Sequence, residues 1–241
     1  SPLILEGKVI VSAGGESGKS LLAYNLDSGE PVWSGGNGRA GYSSAHTATI
    51  HGEEQVLIFN QEELTAHAPE TGSVIWSFEW KVGVPHVSMP VILNDNQILL
   101  SLGYGQGSKL VQVTKSEGSY SANELWSSRF MKAKFTNLVS HEGHIYGLDD
   151  GIFACISQED GQRKWKDGRF GHGQILMRAN HILVMAENGE VILIEASPEK
   201  QIELARFAAL DGKTWNPHTL VGEYLLVRNH REAACYKLPA N

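Results

Sequence analysis

The chain has 241 residues, of which 41% are hydrophobic and 20% charged; this is enough apolar side chain for a large core and excludes a disordered segment. Its net charge of −7 comes without any cluster of Lys and Arg, which argues against nucleic acid as a partner. The longest apolar stretches run about six to eight residues, too short to span a bilayer.

The sequence opens at Ser1-Pro2-Leu3 with neither an initiator Met nor a signal-like segment. The expectation is that a targeting segment has been removed or that the sequence is part of a longer protein. PLILEGKVIVSA (2–13) reads as two strands joined by a turn. AGGESGKS (13–20) then fits the phosphate-loop pattern, but that loop needs a helix directly after Gly-Lys-Ser. LLAYNL runs at once into the turn Asp27-Ser28-Gly29-Glu30, so the match is a hairpin loop.

From there one unit recurs. LLAYNLDSGEPVW (21–33), LTAHAPETGSVIW (64–76), LVQVTKSEGSYSANELW (110–126), IFACISQEDGQRKW (152–165) and VILIEASPEKQIELARF (191–207) each give a strand, a polar turn and a second strand. The first four end on Trp33, Trp76, Trp126 and Trp165, and the fifth has Phe207 at the corresponding place. The tryptophans are roughly 40–50 residues apart, the length of a four-stranded propeller blade. Each unit is preceded by a further strand pair: 2–13, ATIHGEEQVLIFN (48–60), PVILNDNQILLSL (90–102), NLVSHEGHIYGL (137–148) and ILMRANHILVMA (175–186). A sixth pair, HTLVGEYLLVRN (218–229), leads into EAACYKL (232–238) and stops at three strands.

The expected fold is therefore an all-β propeller of four-stranded antiparallel blades, about six in number with the last incomplete. Its units fall near 1–40, 41–84, 85–130, 131–170, 171–212 and 213–241. The repeated tryptophans are expected to be structural, lying flat between blades and each burying about 200 Å². Turn carboxylates such as Asp27, Glu70, Asp95, Asp149, Asp150 and Asp160 are expected to cap their own backbone.

The unit seen in NLDSGEPVW, APETGSVIW and SQEDGQRKW resembles the tryptophan-docking repeat of the pyrroloquinoline-quinone (PQQ)-like β-propellers. GRAGYSSAHTATIHGEEQVLIF and GKTWNPHTLVGEYLLVRN are similar to uncharacterised PQQ-binding-like propellers of environmental bacteria. The resemblance implies an extracytoplasmic location and a repeat shared by quinoprotein dehydrogenases, non-enzymatic barrel-assembly lipoproteins of the outer membrane, and sensor domains. It also implies more blades than the sequence contains, hence a fragment of a larger propeller or a shortened ring. An open arc would expose apolar blade faces and associate with itself.

Quinoprotein dehydrogenases resemble one another in adjacent cysteines and a calcium held beside the quinone by acids and amides. Here Cys155 and Cys235 lie in different units, and their number and spacing suit neither a disulfide framework nor a metal site. His141-Glu142-Gly143-His144 spans a hairpin turn and not the helical turn that a zinc protease requires. Nothing sets Glu79 and Asp149 at the separation of a glycosidase pair, and no Gly-x-Ser-x-Gly elbow appears.

A site is expected where loops lead into the innermost strands: GYSSAH (41–46), PHVSM (85–89), KAKFTN (132–137), GHGQ (171–174) and TWNPH (214–218). These supply Tyr42, Ser43, Ser44, His86, Lys134, Asn137, His172, Gln174, Trp215 and Asn216. The leading expectation is a non-catalytic scaffold presenting loops to a protein or extracellular ligand, with no cofactor and no metal. The alternative is a quinone-binding oxidoreductase using PQQ with Ca²⁺, or a sugar or anion site at the channel rim.

Overall fold

The computed structural model describes residues 1–239, and all regular structure among them is β. It divides into two compact units, residues 1–102 with 109–127 and residues 103–108 with those from 128 onward. Each unit carries three antiparallel sheets, and these six sheets are the blades of a β-propeller fold.

The first unit holds β1 (Leu3–Leu5), β2 (Lys8–Ser12), β3 (Leu21–Asn25) and β4 (Pro31–Gly35) in one sheet. β5 (His46–Ile50), β6 (Glu53–Phe59), β7 (Glu63–His67) and β8 (Val74–Glu79) form the second. Apart from the tips of its last two strands, the third also lies here: β9 (Val91–Ile92), β10 (Gln97–Leu102), β11 (Gly107–Ser116) and β12 (Ser119–Ser128). In the second unit β13 (Val139–His141), β14 (His144–Asp149), β15 (Ile152–Ser157) and β16 (Arg163–Arg169) pair in order. They are followed by β17 (Gln174–Arg178), β18 (His181–Met185), β19 (Glu190–Glu195) and β20 (Ile202–Ala208). The last sheet has three described strands, β21 (Thr219–Val221), β22 (Tyr224–Arg228) and β23 (Ala233–Lys237).

The turn chemistry explains why consecutive strands pair. Glu6-Gly7, His51-Gly52, Glu117-Gly118, Glu142-Gly143 and Asp150-Gly151 are two-residue loops with positive φ at both positions. That is the type I′ geometry whose twist matches antiparallel strands, and glycine carries the second position without strain. The pair His141–His144 brackets one such turn, with His144 Nδ1 2.9 Å from Glu142 O, so it sits on a hairpin as its sequence suggests.

Alternation along the strands then builds the cores. In the first unit Ile10, Leu21, Ala23, Val56 and Ile58 fill the space between its first two sheets. Leu57, Phe59, Leu64, Ile98, Leu100 and Val111 fill the space between the second and third. In the second unit Tyr146, Phe153, Cys155, Ile182 and Ile192 form one layer and Met185, Val191, Leu225 and Val227 the next.

Each of the four tryptophans lies on the outermost strand of its sheet. Trp33 donates its indole N–H to Pro69 O (2.9 Å), and Trp165 donates to Ser197 O (2.9 Å), the two carbonyls lying in the β7–β8 and β19–β20 turns of the following blades. Trp76 donates instead to Gln55 Oε1 (2.8 Å) within its own sheet, and Trp126 is half-buried on β12. Beneath Trp33 lies Gly72, where a Cβ would come within 2.3 Å of the ring, so the turn that closes β7 onto β8 is glycine by necessity.

Asp149 departs from the turn-capping role. Asp160 does cap, accepting from Gln162 N at 3.0 Å, but the Asp149 side chain is fully buried and turned inward. Its Oδ1 takes Lys132 N (2.9 Å) and the Lys132 ammonium (2.5 Å), and its Oδ2 takes Lys166 Nζ (2.7 Å). Burial opposes the charge, but the hydrogen bonds from the two lysines outweigh it and hold the carboxyl below its usual range.

Candidate functional site

The loop AGGESGKS contains no helix and leads directly into β3. The Ala13 and Gly14 amides are committed to Ser20 O, and the Gly18 amide to Asn37 Oδ1. Ser20 itself is buried and accepts Asn60 Nδ2 at 2.6 Å, and the strand that follows gives the loop no helix N-terminus to aim at a phosphate.

In the first unit the loop before β5 presents Tyr42, 76% exposed, while its backbone amide donates to His86 O (2.7 Å). Ser43 is buried, and half-buried Ser44 accepts the Ser1 amino group through its Oγ. His86 is a core residue: it is fully buried, its ring centroid is 4.4 Å from that of Phe59, and neither ring nitrogen has a well-formed hydrogen bond. Burial pushes it down to about 4, offset in part by the Asn60 backbone, so at neutral pH it is an uncharged aromatic filler.

The second unit gathers a different set. Gln174, buried at the start of β17, donates through Nε2 both to Phe135 O (2.7 Å) and to Trp215 O (3.1 Å). One amide thus staples the loop before β13 to the loop before β21. The two rings so held lie 5.4 Å apart at a 42° angle, and His172 meets Phe135 edge-on at 5.4 Å. Glu187, on the loop after β18, accepts Trp215 Nε1 (2.9 Å) through one oxygen and the His172 amide (2.9 Å) through the other. These hydrogen bonds, the His172 amide foremost, keep the Glu187 carboxyl below its usual range despite some burial.

Two lysines complete this face. Lys134 Nζ lies over Tyr104 (4.7 Å) and Phe135 (5.5 Å), and Lys213 Nζ lies over Trp215 (4.0 Å). Trp215 is 42% exposed and Tyr104 39%. Of the residues expected from sequence, Lys134, His172, Gln174 and Trp215 therefore meet in one cluster. Asn137 is exposed and Asn216 half-buried on the same two loops. Tyr104, Phe135, Glu187 and Lys213 are additions. Lys213 and Phe135 are close in sequence to expected residues, whereas Tyr104 and Glu187 arrive from strand-connecting loops of neighbouring repeats.

Residues 1–167 match the family model described as outer membrane protein assembly factor BamB. The chain belongs to this family. No curated protein matches it. Among solved structures it is similar to Sqt1 from Saccharomyces cerevisiae, at 11% identity over 97% of this chain and 69% of that one, with a TM-score of 0.70. It is similar too to the Cps50 (Swd1) β-propeller domain of Myceliophteria thermophila, at 12% identity over 98% and 85%, with a TM-score of 0.59. BamB from Moraxella catarrhalis matches at 14% identity over 95% and 81%, with a TM-score of 0.47. At these identities the shared feature is the fold. Among the described residues no helix is long and apolar enough to cross a membrane.

Proposed function

We propose that this chain is a non-catalytic, extracytoplasmic propeller scaffold that holds a protein partner on the loop face of its second unit. The observation that carries the reading is the Gln174 staple: it fixes Phe135 and Trp215 before any partner arrives, while leaving Trp215 substantially exposed. Partly exposed aromatic side chains on pre-ordered loops act as interface anchors, because little conformational freedom is lost when they are covered. The family supports the same reading, its description being that of an assembly factor of the outer membrane. The repeated tryptophans would then serve the frame, docking successive blades so that the loops stay in place. The carboxylate of this face, Glu187, is already engaged by Trp215, His172 and Lys213, which favours a binding face over a calcium–quinone centre.

The test is site-specific photo-crosslinking in native cells. A photoreactive residue at Asn216 should yield one discrete adduct, absent when Trp215→Ala is added and absent with the probe at Glu117 on the β11–β12 turn. Equal labelling at both positions would overturn the proposal. So would a thermal shift of several degrees with PQQ plus Ca²⁺ accompanied by dye-linked alcohol oxidation.

A further inference from the structure

Aromatic clusters on protein surfaces commonly receive cations, whose charge is attracted to the ring faces. In the second unit those faces are already occupied by the protein's own lysines. Lys213 Nζ sits 4.0 Å above Trp215, and Lys134 Nζ sits between Tyr104 and Phe135. An incoming cation would meet two ammonium groups, whereas an incoming anion would meet both charges with apolar ring surface beside them.

Lys134 is also held in place. A Cβ at Gly103 would fall 2.8 Å from Lys134 Cβ, so the lysine stem lies directly on the Gly103 backbone. Among the described residues Lys134 makes no ion pair. Its side chain has lost much of its freedom without a carboxylate to show for it, which lowers the ordering cost when a carboxylate binds. Lys213 approaches Glu187 at 3.9 Å, but that carboxylate already accepts from Trp215 and His172.

The nature of the anion follows from what the face lacks. A sugar needs a flat platform and free hydrogen-bonding groups for its hydroxyls. Here the rings are tilted by 42° and 75°, and Gln174 and Glu187 are used internally. Two lysines can pair with one or two carboxylates but are too few to neutralise a run of nucleic-acid phosphates. We propose that the cluster of Tyr104, Lys134, Phe135, Lys213 and Trp215 captures an acidic peptide segment, its carboxylates on the lysines and its apolar side-chain surface beside the rings. This rests on the scaffold reading and names the partner's chemistry.

The test is fluorescence anisotropy on the full chain with a labelled Gly-Asp-Phe-Glu-Trp-Asp-Gly peptide and its Asn/Gln counterpart. Binding of the acidic peptide should be saturable, at least about tenfold tighter than its amide counterpart, and weakened by salt. Lys134→Gln with Lys213→Gln should weaken it about tenfold, and Gly103→Val should weaken it by dislodging Lys134 while Lys213 stays. Thermal melts of each variant show whether it remains folded. Equal affinity for the two peptides, no effect of the double lysine change in a folded variant, or tighter competition by alginate oligosaccharide would each overturn the inference. A discrete Asn216 crosslink combined with failed peptide binding would remove this inference and leave the scaffold reading standing. Absence of both the crosslink and selective peptide binding would remove both.

Discussion

Replacing Asp149 by Asn isolates the one fully buried carboxylate among the described residues of the second unit. Asp149 is 0% exposed and accepts three donors, the Lys132 amide and the ammonium groups of Lys132 and Lys166. Asn keeps the shape but supplies one acceptor oxygen, so its NH₂ must face one of the two ammonium donors. Removing one partner of a buried ion pair costs about 3–5 kcal/mol because the remaining charge is left uncompensated. The lysine side chains are 18% and 19% exposed, so they can turn partly to water, which points to the lower end, about 3 kcal/mol. For a unit of this size that corresponds to a fall of about 10 °C in thermal midpoint. Urea and thermal unfolding, followed by tryptophan fluorescence, would measure it. Adding Lys132→Met and Lys166→Met to Asp149→Leu should recover part of the loss, since an apolar replacement of the triad strands no charge, although the Lys132 amide loses its acceptor. A single Asp149→Asn variant within about 0.5 kcal/mol of the parent would refute the reasoning. The acid limb has the same origin. A carboxyl whose folded value is depressed stabilises the protein above its unfolded value of 3.8, and that contribution disappears as pH falls below it.

The histidines predict a second acid limb, setting in at higher pH. Burial lowers the folded-state values of His46, His67, His86 and His218, the last two to about 4. The unfolded chain takes up protons below 6.5 while the folded chain does not, so thermal midpoints should fall steadily from pH 7 toward pH 4. His86→Leu, which cannot be protonated, should flatten that slope. Gly72→Ala should destabilise by about 2–3 kcal/mol, because its Cβ collides with Trp33 at a φ of +71°. Chemical denaturation reads the loss, and a red-shifted tryptophan emission should accompany it. Burial pushes the Cys155 thiol up to about 12, whereas Cys235 is exposed. Ellman's reagent at pH 8 should therefore titrate one thiol in the native protein and two in denaturant.

Strand content and blade order were legible because the first four repeats announce themselves twice, by alternation and by a terminal Trp, and the last two by alternation. The β1–β2, β5–β6, β13–β14 and β14–β15 hairpins could be placed from an X-Gly pair alone. The loops were less transparent, for a physical reason. Within a strand, side-chain direction follows from period two, but a loop has no such rule. His86 and His172 occupy similar loops in sequence, yet the first is sealed against Phe59 and the second meets Phe135 edge-on at a partly open face. Asp149 read as a surface turn residue because nothing local reveals that Lys132 and Lys166, both 17 residues distant, converge on it. Glu187 escaped notice for the same reason, its partners being His172 and Trp215 from other loops.

Gln174 reaches its two loops through the carbonyls of Phe135 and Trp215, not through their side chains. Every amino acid has that carbonyl. Either loop could therefore exchange its aromatic residue for another without losing the bond that positions it. Placement is written into the backbone and specificity into the side chains, so the two can vary independently. A designer wishing to redirect this face could randomise positions 134, 135, 213 and 215 while leaving position 174 untouched.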